Sequence, residues 1–207
     1  MAVWIKVCGI TCVEDARVAV ELGVDAIGLN FVQGSPRHID PEAARRIADA
    51  VGKQVEVVAV VAGAPAVELR ELRRRTGAGW LQLHGDETPD DLAGLLPGAY
   101  KAVRIRDARD VAAASRYGGE RLLVDAKVDG QLGGTGHRFD WRLVGDLVQT
   151  RPVILAGGLT PDNVAAAVRE VAPWGVDVAS GVERPADRRR KDPAALERFV
   201  AMARGAS

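Results

Sequence analysis

Short apolar, β-branched runs alternate with longer helical patterns along the whole chain, and this rhythm constrains the fold more than any other feature. Strand-length runs separated by helix-length ones mark βα units, whose strands pair in parallel. The first run is Trp4-Ile5-Lys6-Val7, and the others cover 26–31, 55–61, 80–83, 100–103, 121–124, 152–156 and 176–179. Helical patterns follow over 13–21, 65–75, 108–117, 141–148 and 193–204, with further helix starts at Pro41-Glu42, Thr88-Pro89 and Thr160-Pro161. Proline suits the first helical position, where its missing N–H costs nothing. Thr11-Cys12-Val13-Glu14 has the spacing of a capping box.

Eight such units, about 25 residues apart, predict a closed (β/α)8 TIM barrel that takes up residues 1–207 as one domain. An open doubly wound sheet is the alternative. It would more often carry G-x-G-x-x-G after its first strand, and Val7-Cys8-Gly9-Ile10-Thr11 is not that motif.

Charge narrows the partners. The 207 residues hold 28 basic and 28 acidic side chains, so the formal balance is zero. Nucleic acid and anionic membrane reward net positive charge, and neither is expected as a partner. No apolar run is long enough for a membrane span, and residues 1–9 lack the pattern of a signal peptide. Cys8 and Cys12 lie too close in sequence to staple a fold, so a reducing, cytoplasmic setting is expected. Neither cysteine has metal-ligand spacing with His38, His84 or His137, and no metal or cofactor is expected. The basic run Arg188-Arg189-Arg190-Lys191 reads as a solvated turn before the last helix.

In a barrel the active site lies at the C-terminal ends of the strands. That places Cys8, Arg37, His84 and Asp125 on one rim. Each has a structural alternative: a buried thiol, an exposed arginine, a turn histidine, a capping carboxylate. Together they form an acid and a potential thiolate base suited to proton transfer. Gly133-Gly134-Thr135-Gly136, Gly157-Gly158 and Ser180-Gly181 follow the last three strands. Bare backbone N–H groups and helix N-termini in those loops suit a phosphate, and Ser180 to Glu183 could begin a short extra helix.

Several motifs in order resemble the phosphoribosylanthranilate isomerase family of tryptophan biosynthesis. They are Lys6-Val7-Cys8-Gly9-Ile10-Thr11, Gln82-Leu83-His84-Gly85, Leu123-Val124-Asp125, Gly133-Gly134-Thr135-Gly136 with Phe139-Asp140-Trp141, Leu155-Ala156-Gly157-Gly158-Leu159 and the stretch from Asp177 to Glu183. The resemblance implies a ribulose-phosphate-binding barrel and an Amadori rearrangement of N-(5-phosphoribosyl)anthranilate, with no cofactor. It makes Asp125 the general acid and Cys8 the general base. It gives Arg37 the anthranilate carboxylate, Asp177 the substrate's amine or sugar hydroxyl, and His84 a binding role without proton transfer. Gly133, Gly134, Gly136, Gly157, Gly158, Ser180 and Gly181 become the phosphate site. The chemistry asks for a raised carboxyl pKa at Asp125 and a thiol lowered toward neutrality at Cys8. Monomer and homodimer are both compatible with the resemblance.

Two stretches depart from the family pattern. The third strand ends in Val60-Val61-Ala62-Gly63 where an aromatic-Val-Asn ending is common. After the eighth run, Arg184-Pro185-Ala186-Asp187 leads into the basic run without the family's Pro-Gly turn. The rivals are another sugar-phosphate isomerase on the same scaffold, an isomerase shared with histidine biosynthesis, and a non-catalytic phosphometabolite binder.

Overall fold

The strands pair as the rhythm predicts, and the sheet closes on itself. The computed structural model describes residues 2–125 and 144–207. Its strands are β1 (Trp4–Cys8), β2 (Ala26–Asn30), β3 (Glu56–Val61), β4 (Trp80–Leu83), β5 (Ala99–Arg104), β6 (Leu122–Asp125), β7 (Val153–Ala156) and β8 (Gly175–Val178). They form a closed barrel in sequence order, and β8 returns to β1 with Trp4 opposite Gly175 and Lys6 opposite Asp177. All eight pairings are parallel.

The helices between them are α1 (Val13–Glu21), α2 (Pro41–Val51), α3 (Ala66–Thr76), α4 (Pro89–Ala93), α5 (Ala108–Ala114), α6 (Gly145–Thr150), α7 (Val164–Val171) and α8 (Pro193–Arg204). Three begin as Asp/Thr-Pro predicts, with Asp40, Thr88 and Asp192 capping helices that carry proline in the first turn. Thr88 and Asp91 form a full capping box.

Two helix starts differ from expectation. Cys12, not Thr11, is the N-cap of α1, and the Thr11 hydroxyl donates instead to the Arg189 carbonyl. The capping-box spacing is present, but a tertiary partner takes the hydroxyl. Pro161 lies in a turn, and α7 begins at Val164. Asn163 braces that turn, accepting from Thr160 N at 2.8 Å and donating to Gly158 O at 3.0 Å.

Strand period sorts the apolar side chains into two clusters. Ile5, Val7, Ile27, Leu29 and their equivalents pack outward against helix residues such as Ala16, Ile47 and Phe199. Trp4, Ala26, Val58, Tyr100, Leu123 and Ile154 fill the barrel itself. Because both faces are buried, the strands read as near-continuous apolar runs.

The N-terminal mouth of the barrel is plugged. Trp4 and Trp174 stack with ring centroids 5.0 Å apart. The Arg121 guanidinium lies 3.8 Å from the Trp80 centroid and 5.2 Å from that of Trp174, and it pairs with Glu56 at 2.9 Å.

The basic run is no solvated turn. A 3-10 turn (Ser180–Val182) leads into β9 (Glu183–Arg184), which pairs antiparallel with β10 (Asp187–Lys191). Arg189 Nη1 donates to the carbonyls of Pro36 and His38, at 3.0 and 3.1 Å. Arg190 pairs with the buried Asp15 of α1 at 3.1 Å, and Lys191 is buried. Arg189, Arg190 and Lys191 are engaged by internal acceptors, which charge counting along the sequence does not reveal.

Candidate active site

Interior positions at the C-terminal strand ends are the only ones in a βα barrel that point into an open mouth. Cys8 ends β1 and Asp125 ends β6, three strands apart round the closed sheet. Both line one cavity of about 610 Å³. Arg37, His84 and Asp177 line it too, as do Gly157, Gly158 and Ser180. Chain segments far apart in sequence thus converge as expected.

The glycines divide. Gly157 and Gly158 have positive φ, +93° and +69°, which a side chain would strain. Gly181 is not part of the lining. A methyl there would come 2.0 Å from Leu159 O, so Gly181 lets the loop after β8 press against the loop after β7. Gly133, Gly134 and Gly136, with His137 and Phe139-Asp140-Trp141, lie outside the described residues.

Cys8 sits in a polar pocket inside an apolar barrel. Lys6, two residues earlier and so on the same face of β1, is fully buried and bonds Asp177 Oδ1 at 3.0 Å. Burial works against the ammonium, but Asp177, Cys8 and Tyr100 together hold its pKa above the ordinary range. Asp177 is pushed up by burial, against the pull of Lys6. The Cys8 thiol is likewise pushed up by burial, with Lys6 and Lys191 pulling it back. The expectation of a thiol lowered toward neutrality therefore fails for the free protein, since desolvation outweighs the cations.

His84 is placed by a short relay. Tyr100 OH donates to Gln82 Oε1 at 3.0 Å, which leaves the Gln82 amide to donate to His84 Nδ1 at 3.2 Å. Burial, the largest effect, holds the imidazole below its usual range, although Asp125 opposes it. A neutral ring with Nδ1 accepting carries its proton on Nε2. The backbone after it is pinned from outside the barrel. Lys101 Nζ donates to Gly85 O at 2.6 Å, and Glu87 accepts from Gly63 N at 2.8 Å and Gly85 N at 2.9 Å.

Arg37 is already engaged. Its Nη2 bonds Glu183 Oε2 at 2.9 Å and its Nε bonds Oε1. Lys191 Nζ reaches the same Oε1 at 3.2 Å and Ala179 O at 3.1 Å. Burial disfavours the Glu183 charge, yet the Arg37 bond and the Lys191 charge hold its pKa below the ordinary range. Nη1 of Arg37 has no part in that fork. Sequence reading missed Glu183 as a partner, and it missed Arg184 and Arg188, which also line the cavity. The missing signal was the hairpin, which turns the start of a basic run toward the mouth.

Among the described residues, no cluster of His, Cys, Asp or Glu could hold a metal, and no helix is long and apolar enough to cross a membrane.

The family model for N-(5'-phosphoribosyl)anthranilate (PRA) isomerase matches residues 5–201. The N-(5'-phosphoribosyl)anthranilate isomerase of Magnetococcus marinus is 43% identical over 206 residues, spanning 100% of this chain and 97% of that one. The crystal structure of phosphoribosyl anthranilate isomerase from Thermotoga maritima superposes with a TM-score of 0.89 at 34% identity, covering 98% of this chain and 99% of that one. A phosphoribosyl anthranilate isomerase in complex with reduced 1-(o-carboxyphenylamino)-1-deoxyribulose 5-phosphate superposes with a TM-score of 0.86 at 32% identity, covering 98% and 99%. With a closed eight-stranded barrel, a thiol and a carboxyl at one mouth, and matches over nearly its whole length, the chain belongs to the N-(5'-phosphoribosyl)anthranilate isomerase family.

Proposed function

We propose that this chain isomerises N-(5-phosphoribosyl)anthranilate to 1-(2-carboxyphenylamino)-1-deoxyribulose 5-phosphate in tryptophan biosynthesis, and that residues 1–207 act as one catalytic barrel. The observation that carries the reading is the presence of Cys8 and Asp125 in one cavity, on strands that do not pair with each other.

Asp125, as the acid, gives a proton to the ring oxygen of the aminofuranose. The C1–O bond breaks as nitrogen's lone pair forms an iminium. The iminium withdraws electrons from C2, and the Cys8 thiolate removes the C2 proton. The C2–H electrons form the enolamine double bond, which returns the iminium pair to nitrogen. The enolamine then tautomerises to the ketone. Only protons and a ring bond move, so the sequence balances without oxidant or reductant.

The remaining roles follow from charge and shape. Nη1 of Arg37 takes the anthranilate carboxylate. Asp177 accepts from the substrate's amine or a sugar hydroxyl. Neutral His84 offers Nε2–H to the bound sugar. Gly157, Gly158 and Ser180 present backbone N–H groups to the phosphate, with Gly133, Gly134 and Gly136 assigned to it by family pattern alone and Gly181 supporting the loops. Arg184 and Arg188 add positive charge where a ligand with two anionic groups must enter. This is a small-molecule function with neither nucleic acid nor membrane as partner, set in the cytoplasm, and the working unit is a monomer or a homodimer.

The test is a fluorescence assay of phosphoribosylanthranilate loss on adding the purified chain. Turnover without added cofactor is expected. Cys8→Ser combined with Asp125→Asn is expected to abolish it while ligand binding persists. A folded wild-type chain without signal overturns the assignment.

A further inference from the structure

A thiolate base inside an apolar barrel needs a cation, and the molecule places one beside Cys8 that the acid–base scheme leaves unused. We infer that Lys6 is a positioning residue for Cys8, supporting the sulfur's negative charge while Asp177 sets how much of the ammonium's field the sulfur receives. This rests on the reading of Cys8 as the base.

Geometry carries the inference. Lys6 and Cys8 project from the same face of β1, and Gly28 of β2 pairs opposite Cys8. A methyl built on Gly28 would lie 2.9 Å from Cys8 Sγ and 3.0 Å from Lys6 Nζ. Sulfur and ammonium therefore share the space that a side chain at 28 would fill. Asp177, opposite Lys6 on β8, anchors the ammonium from the other flank. Burying a charge is costly even when it is paired, so a barrel built only for stability would gain from apolar residues in place of the whole Lys6–Asp177 pair.

The other charged groups near the sulfur are committed elsewhere. Lys191 on β10 and the Arg37 guanidinium both bind Glu183. Tyr100 on β5 donates a hydrogen bond to Gln82, and the charges of His84 and Asp125 act on Asp177. Lys6 shares with the sulfur the space beside Gly28, while Lys191 acts on the thiol from β10 with Glu183 and the Ala179 carbonyl as its own partners. Desolvation raises the thiol's pKa and Lys6 is the largest opposing effect, in keeping with the geometry.

The experiment uses two substitutions that pull in opposite directions, in a Cys12→Ser background so that Cys8 is the sole thiol. Alkylation of Cys8 by iodoacetamide is followed by intact mass across pH. Lys6→Met is expected to raise the midpoint of reactivity by about one pH unit or more, and Asp177→Asn to lower it by removing the competing carboxylate. The acid limb of kcat/KM should move with the Lys6→Met midpoint. A merely structural Lys6 would leave the Lys6→Met midpoint and the acid limb unshifted, and that result overturns the inference. Should Lys6→Met fail to fold, Lys6→Gln takes its place: a raised midpoint supports the inference, and no change or a fall sinks it. If Cys8→Ser keeps full turnover, the base assignment falls, while alkylation still reports whether Lys6 acts on the thiol.

Discussion

At the N-terminal mouth of the barrel, Arg121 lies among Trp4, Trp80 and Trp174 and closes the cylinder with stacked rings and one ion pair. At the C-terminal mouth, the charged side chains instead line an open cavity of about 610 Å³. The same eight strands supply both ends. What differs is the side chain at the interior positions. Large rings at the strand starts leave no room for water or ligand. Cys8, Ala156 and the two glycines after β7 leave space bordered by charged and polar groups together with apolar ones such as Val60, Leu123 and Leu159. On the proposed function, one end serves cohesion and the other chemistry, a division that substitution can test.

The largest effect should come at the open end. Asp125→Asn should lower kcat about a thousandfold, the scale of a lost general acid, with the thermal midpoint within a degree or two of wild type. A variant that instead unfolds early would place Asp125 among the structural residues. Arg121→Ala should do the reverse. It removes a buried guanidinium from four rings, Tyr100 included, so roughly 3 kcal/mol of stability should be lost in a urea melt while kcat of the folded fraction stays put. A fall in kcat without a stability change would erase the contrast between the two ends. Arg188→Ala, at the rim of the open end, should raise KM roughly threefold at low salt and less at high salt, since exposed charges act through a screened field. A KM effect independent of salt would mean direct contact instead.

The smallest effect concerns pH. Burial holds the His84 imidazole below its ordinary range. Between that depressed value and about 6.5, the unfolded chain binds a proton that the folded chain does not. The stabilising contribution is complete above about 6.5 and is lost as pH falls through the folded value. His84→Gln should flatten that portion of the thermal midpoint against pH. An unchanged curve would assign the acid sensitivity to other groups.

Much of this contrast was legible in the sequence, but unevenly. The strands could be read because burial on both faces makes them continuous apolar runs, and strand ends announced Cys8 and Asp125. Thr11 and Pro161 misled because helix-start signals are local, and here a distant carbonyl and an asparagine brace decided the outcome. The basic run misled for the same reason, its partners Asp15 and Pro36 lying more than 150 residues away. Lys6 and Arg121 show no periodic signal at all, since a lone charge in an apolar run acquires meaning only when the barrel closes around it. Glu183 could be read as part of a motif but not as the partner of Arg37.

That partner has a consequence for recognition. Clasped by Glu183, the Arg37 guanidinium has its torsions fixed before any ligand arrives. An arginine tumbling in the entrance would have to be frozen at each encounter, at roughly 0.5–1.5 kcal/mol for one long side chain. Here folding has already met that entropy, and in the role proposed for Arg37 an incoming carboxylate would find a rigid, waiting edge.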